Sequence, residues 1–234
     1  MTRLIAFLPT ALIALIFGFL GAWLFAVSGL GGTATRDWLL ANPEILPEMV
    51  EAYQANEAGA RLAGVSDEVQ RPFPGAVLGN PQGSVTLVEF TDYGCTFCRQ
   101  SVADVKALVE ANPDLRVVMR EWPIFEGSDT AARMALAAAR QGKYAAFHDA
   151  MFAHGPPSEA SIAIAAEAAG LDMDAARAFA GSQAAEFEIQ KNRELARQLG
   201  FDGTPSWVAG TRAFAGAVGR EQLAEAVEAA RKGA

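Results

Sequence analysis

Val85-Thr86-Leu87-Val88-Glu89-Phe90-Thr91-Asp92-Tyr93-Gly94-Cys95-Thr96-Phe97-Cys98-Arg99 is the stretch from which the fold can be read. Val85 to Phe90 is rich in β-branched and apolar residues and predicts a buried strand. Asp92-Tyr93-Gly94 predicts a short turn, and a helix is expected to open at the two cysteines. They are the only two cysteines of the chain. At C-x-x-C spacing on a first helical turn, two thiols can close a disulfide without moving the backbone. They can also act in sequence, one attacking and one resolving.

Disulfide exchange needs a thiolate, so the attacking cysteine must ionise near neutral pH. Cys95 falls at the expected helix N-terminus, where unpaired N–H groups and the positive end of the helix dipole favour the anion. Cys98 lies one turn further in and is expected to be more buried and less acidic, which suits a resolving thiol. Thr96 and Phe97 carry no charge, so the helix terminus must supply most of the bias. On the strand, Val85, Leu87 and Glu89 share one face, and Thr86, Val88 and Phe90 the other. Glu89 reads either as an exposed strand glutamate or as a buried acid of raised pKa that relays a proton from Cys98. A lone C-x-x-C is also half a zinc site. His148 and His154 have the spacing of a second half, but 49 residues separate Cys98 from His148, and both histidines fall where the pattern is that of an ordinary helix. His148 is expected to pack or cap, and neither a metal nor an organic cofactor is expected.

The 234-residue chain can hold one substantial domain with additions, and its formal net charge of -8 provides no basic stripe for nucleic acid. Leu4 to Val27 is a run of 24 residues without a charge. As a helix it would span about 36 Å, enough for a hydrocarbon core of about 30 Å. A retained membrane anchor through residues 4–27 is expected, with a cleaved signal ending near Ala26-Val27-Ser28 as the alternative. Arg3 on one side places the short N-terminus in the cytoplasm and the domain outside, where disulfides form.

Ser28 to Thr35 is small and Gly-rich and predicts a flexible exit. Arg36 to Ala41 predicts a turn of helix, stopped by Asn42-Pro43. A helix from about Pro47 to Leu62 puts Met49, Val50 and Tyr53 on one side. It either packs back on its own domain or serves association. Asp67 to Pro74 reads as a linker. Ala76-Val77-Leu78 predicts a short edge strand, Leu115–Trp122 a second long strand, and the strand–helix–strand unit between them a parallel crossover. Helices are expected at about Asp129–Gln141, Tyr144–Ala153, Glu159–Ala169, Met173–Gly181 and Glu186–Leu199. A hairpin follows, its second strand from Ala213 to Ala217, and a last helix opens near Gly219.

This order resembles the thioredoxin fold, and the helical insertion resembles the DsbA-like branch of thiol:disulfide oxidoreductases. The residues that carry the likeness are Leu78-Gly79-Asn80-Pro81, Val88-Glu89-Phe90-Thr91-Asp92-Tyr93, Cys95-x-x-Cys98, Arg120-Glu121-Trp122-Pro123-Ile124, Lys143-Tyr144-x-x-Phe147-His148 and Gly203-Thr204-Pro205. The segment from Trp38 to Glu48 is similar to the N-terminal extension of the suppressor-of-copper-sensitivity C branch. The resemblance implies an α/β thioredoxin-like fold with a helical insertion, preceded by a membrane helix and a short helical extension. The domains expected are 1–29, an anchor or signal; 30–70, a helical extension; and 71–234, the thioredoxin-like domain, with its insertion at about 128–199. It implies Cys95, Cys98 and Glu89 as catalytic residues. It also implies a cis-proline at Pro205, beside Thr204, that presents backbone to an extended substrate near Thr96 and Phe97. The expected partners are unfolded or misoxidised exported proteins, a membrane redox protein, and a second copy of the chain through residues 38–62. The location implied is the periplasmic side of a bacterial inner membrane. Thr96-Phe97 departs from the dipeptide of the strongest oxidants, so the direction of exchange stays open between an oxidase and an oligomeric isomerase or reductase. A protein that holds copper on its two thiolates is the alternative of another class.

Overall fold

The computed structural model describes residues 8–28 and 30–233. The chain divides into two compact units, Met1–Tyr53 and Gln54–Ala234. In the first unit, helix α1 (Leu8–Val27) is built from apolar and small residues with no charge, and α2 (Leu30–Ala41) follows. Without a polar stripe α1 has no face to turn inward, and every side chain described from Leu12 to Ser28 is exposed. The expected anchor began at Leu4, and its first residues lie outside the described ones. Among the described residues no single helix is long and apolar enough to cross a membrane; Leu12–Val27 and Gly32–Ala41 pass only as a pair bent by 53°.

The Gly-rich exit is corrected. Helix α2 already starts at Leu30 and runs through Gly31 and Gly32. A glycine costs a helix only about 1 kcal/mol against alanine, too little to stop one that nine further residues extend. Asn42 closes α2 through its side-chain amide, which donates to the Trp38 carbonyl at 2.7 Å, and Pro43 prevents continuation. A 3₁₀ turn (Pro43–Ile45) leads into α3 (Leu46–Ala63). Met49, Val50 and Tyr53 on α3 are exposed.

In the second unit the end of α3 buries Leu62, and a short helix α4 (Ser66–Gln70) buries Val69. The expected linker at 67–74 is therefore corrected in its first part. Its anchor is Arg120, which lies far along the chain and reaches back to the α4 carbonyls. The strands are β1 (Val77–Gly79), β2 (Val85–Thr91), β3 (Leu115–Glu121), β4 (Ser206–Ala209) and β5 (Arg212–Ala215). They form one sheet in the order β1-β3-β2-β4-β5. Only β2 and β3 pair in parallel, across helix α5 (Thr96–Ala111). The second hairpin strand starts at Arg212 and ends at Ala215, short of the expected Ala217, because Gly216 turns away at φ 97° and donates to the Pro205 carbonyl.

Between β3 and β4 stand α6 (Ser128–Arg140), α7 (Tyr144–His154), α8 (Glu159–Ala168), α9 (Met173–Ala180) and α10 (Gln183–Leu199). Helix α11 (Gly219–Lys232) follows β5. Central strand β2 is buried along its whole length, so both faces pack against other elements, and its apolar residues build the core on each side. Val85, Leu87, Leu115 and Val117 join the core with Val105 and Leu108 of α5 and Leu223 and Val227 of α11. Val88, Phe90 and Val118 pack on the other side with Leu195 and Leu199 of α10, Leu62 and Val69. The C-terminal end of β2 thus delivers its turn to a rim covered by α5 on one face.

Candidate active site

The turn after β2 is held by Asp92. Its carboxylate accepts from Gly94 N at 2.6 Å, Ser128 Oγ at 2.5 Å, Ile124 N at 2.6 Å and Phe125 N at 2.9 Å. One side chain so ties the end of β2, the loop after β3 and the start of α6 together. A Cβ at Gly94 would lie 2.8 Å from Ser128 Oγ and 3.0 Å from Phe125 Cβ, so glycine is required for the close approach. The Cys95 N–H donates to the Asp92 carbonyl at 3.0 Å, and Cys95 is the N-cap residue of α5.

Both cysteines are reduced and buried. The Cys95 thiol is lowered from 9.0 to about 5. A hydrogen bond from the Cys98 thiol is the largest cause; Thr204 and the backbone N–H groups of Cys98 and Phe97 add to it, and burial opposes it. Cys98 moves the other way, far up, because it is desolvated, is bonded to Cys95 and faces the charge of Glu89. Two identical side chains three residues apart are thereby split in acidity, one favouring the thiolate and the other keeping its proton.

Glu89 is 3% exposed, and burial raises its carboxyl from 4.5 to about 8, with the charge of Cys95 adding and Thr91 opposing. The bond between Thr204 and Pro205 is cis. In its protonated form Cys95 Sγ donates to the Thr204 carbonyl at 3.1 Å, while Thr204 Oγ1, buried without a hydrogen bond of its own, favours the thiolate at both sulfurs. Thr96 and Phe97 are exposed at the head of α5. Phe97 is 59% exposed, and Ile124 and Phe125, on the loop Asp92 holds, are 43% and 49% exposed. Three apolar side chains are thus left in solvent on the segments that flank the cysteine pair.

The fold brings Cys95, Cys98, Glu89, Thr204 and Pro205 together. Sequence reasoning gave no role to Asp92, Glu121, Tyr93 or Tyr144. Glu121 is wholly buried, and its Oε1 accepts from Tyr144 at 2.6 Å and Tyr93 at 3.1 Å. Burial raises it from 4.5 to about 8. Tyr93 also meets His148 Nδ1 at 3.3 Å, and burial drives His148 down from 6.5 to about 4, so it is neutral at physiological pH. Its ring packs against Tyr144, Tyr93 and Phe152. The Tyr144-x-x-Phe147-His148 pattern was the available signal, since Tyr144 and His148 share a helical face with an apolar ring and their polar tips must find buried partners. A cavity of about 320 Å³ lined by Leu78, Val102, Val105, Lys106 and His148 lies along α5 and contains neither cysteine.

A mixed five-stranded sheet, a dithiol at the head of the helix that follows β2 and a cis-proline loop bonded to Cys95 define a thioredoxin-like dithiol domain. Residues 86–228 match the DSBA-like thioredoxin domain, and the chain belongs to that family. Residues 32–60 match the N-terminal domain of the copper resistance protein ScsC. Among solved structures, a thioredoxin-like oxidoreductase from Silicibacter pomeroyi DSS-3 is 46% identical, covers 68% of this chain and 92% of its own, and has a TM-score of 0.64. A linker-deletion mutant of Proteus mirabilis ScsC is 27% identical over 86% of this chain and 93% of its own, with a TM-score of 0.69. The thiol-disulfide exchange protein alpha-DsbA2 of Wolbachia pipientis is 29% identical over 76% and 97%, with a TM-score of 0.68. The chain spans about a quarter of the length of the curated relatives it matches, Na(+)/H(+) antiporters of two Salinispora species at 24% of each.

Proposed function

We propose that this chain is a thiol:disulfide oxidoreductase acting on exported proteins through Cys95 and Cys98. The observation that carries the reading is the split pair: an acidified Cys95 bonded to the cis-proline loop above a Cys98 that keeps its proton. In the reducing direction the Cys95 thiolate attacks a substrate disulfide and one substrate sulfur leaves with its electron pair. Glu89 takes the Cys98 proton, and Cys98 attacks the Cys95 sulfur. The internal disulfide forms, and the second substrate sulfur departs. In the oxidising direction the same steps run backward, and Glu89 returns the proton to Cys98. Thr204 and Pro205 offer backbone to an extended substrate, and Thr96 and Phe97 border it. The redox equivalent is the cysteine pair, and a membrane redox protein resets it.

The domain division 1–29, 30–70 and 71–234 remains the working scheme, with the uncharged helix α1 as a tether to the inner membrane and the catalytic domain on its periplasmic side. Exposed Met49, Val50 and Tyr53, within the region like the ScsC N-terminal domain, favour self-association. An oligomer with several active pairs favours isomerisation or reduction over oxidation.

Insulin reduction with dithiothreitol tests the chemistry. Wild type accelerates it, Cys95→Ser abolishes the acceleration, and Cys98→Ser accumulates mixed disulfides visible on non-reducing gels. Full activity in Cys95→Ser removes the proposal. For assembly, native mass measured with and without residues 30–53 should fall from several chains to one; an unchanged mass ends the isomerase reading.

A further inference from the structure

In the parallel pair β2/β3, Glu89 lies opposite Met119 and Thr91 opposite Glu121. Residues two apart on a strand share a face, so Glu89, Thr91 and Glu121 all lie on the side covered by α5. Among the described residues, the buried side-chain oxygens without a hydrogen bond are Thr91 Oγ1, Glu121 Oε2 and Thr204 Oγ1. Buried polar atoms seldom go unpaired, and two of these three belong to residues that face each other across adjacent strands. Glu121 Oε1 is occupied by its two tyrosines, which leaves Oε2 turned to other work. The Thr91 hydroxyl also faces Glu89 and favours its ionised form, without closing a bond of normal length.

We propose that Thr91 couples Glu89 and Glu121 into a two-carboxyl proton store behind Cys98, with Glu121 a positioning residue that sets when Glu89 can take the Cys98 proton. Two buried carboxyls on one face of adjacent strands do not both ionise readily; each stands at about 8, so near neutral pH the pair is mostly protonated and ionises one carboxyl at a time. When a mixed disulfide resolves, the Cys98 proton moves to the Glu89 carboxylate and the Cys98 sulfur bonds to the Cys95 sulfur. The Cys95–substrate bond breaks, and the substrate sulfur leaves with the electron pair and takes a proton from water. The Thr91 hydroxyl, unbonded in the resting protein, then turns to bridge the two carboxyls, and the added proton is shared with Glu121. Glu89 raises Glu121; the other titratable groups acting on the two carboxyls are Cys95 of α5, on Glu89, and Asp92, Tyr93 and Tyr144, on Glu121. Glu89 in turn acts on Cys98. His148 of α7 stays neutral beyond Tyr93, under the opposing influences of Asp149 and Lys106.

The proposal rests on Glu89 as the base, and Glu89→Gln tests that reading separately. The readout is single-turnover release of glutathione from the Cys95 mixed disulfide of the full chain, followed from about pH 5 to pH 9. Glu89→Gln should slow release by about 100-fold at neutral pH. Glu121→Gln, which removes a like charge, should lower the apparent pKa of the profile by about one unit, and Thr91→Val, which removes a donor to the carboxylate, should raise it by about as much. Thr91→Ser should restore the wild-type profile. If Glu89→Gln slows release while Glu121→Gln and Thr91→Val leave the profile in place, the store is overturned and Glu89 acts alone. If Glu89→Gln has no effect, the base reading falls with it. Should Thr91→Val not fold, the volume-conserving Glu121→Gln decides by itself.

Discussion

Arg120 and Glu121 are neighbours on β3, both wholly buried, and they point to opposite faces of one sheet. Arg120 is saturated. Its guanidinium donates to Glu188 and Asn192 at 3.1 Å each, to the carbonyls of Val69 and Arg71 at 3.2 Å and 2.5 Å, and to that of Glu68. Lys191 balances Glu188 from its other side at 2.5 Å. Glu121 has one oxygen bonded twice and the other bare. The saturated charge fastens α4 and α10 to the sheet and has no freedom to change state. The under-bonded acid keeps a proton it can give up. Burial is equal in the two, so satisfaction of the polar atoms is what separates a structural charge from a chemical one.

Removing the saturated charge should have the largest effect. Arg120→Ala leaves three carbonyls and Glu188 without their donor and should cost about 3–5 kcal/mol in urea unfolding. The molecules that remain folded should keep the wild-type pH profile of exchange. A loss below about 1 kcal/mol would mean the guanidinium is not what holds α4.

The smaller effect lies in pH. Glu89 and Glu121 stand at about 8 in the folded chain against an ordinary 4.5. Their contribution to stability is full below about 4.5 and is lost as pH rises through 8. Cys95 has the opposite sign. At about 5 against an ordinary 9.0, it stabilises above 9 and loses that contribution as pH falls through 5. Oxidising the pair removes the cysteine and leaves the carboxyls, whose main cause of shift is burial. The oxidised protein should therefore lose stability steadily between about pH 5 and pH 8, while the reduced protein stays flatter; urea midpoints of both forms measure this. Glu121→Gln should flatten the oxidised curve. An oxidised curve that is level without the substitution would place both carboxylates in contact with water.

The two sides of β3 also differ in how far they could be read in advance. Val85 to Arg99 announces a strand, a turn and a helix head within fifteen consecutive residues, and each signal is local. Pro205 was readable through its neighbours Gly203 and Thr204 once a family pattern was in view. Glu121 was not, because the tyrosines that define it lie 28 and 23 residues away and a glutamate at a strand end usually faces solvent. The helix α4 was missed for the same reason: five residues carry too little periodicity, and the arginine that holds them is 49 to 52 positions further on. At α2, the glycines outweighed the helix formers in the reading but not in the molecule.

Both cysteines of the chain stand free at the head of α5, so no covalent cross-link braces the body of the protein. Its architecture matures from side-chain packing and buried polar contacts alone. A chain braced in this way can complete its fold with the pair still reduced, before any oxidant has reached it.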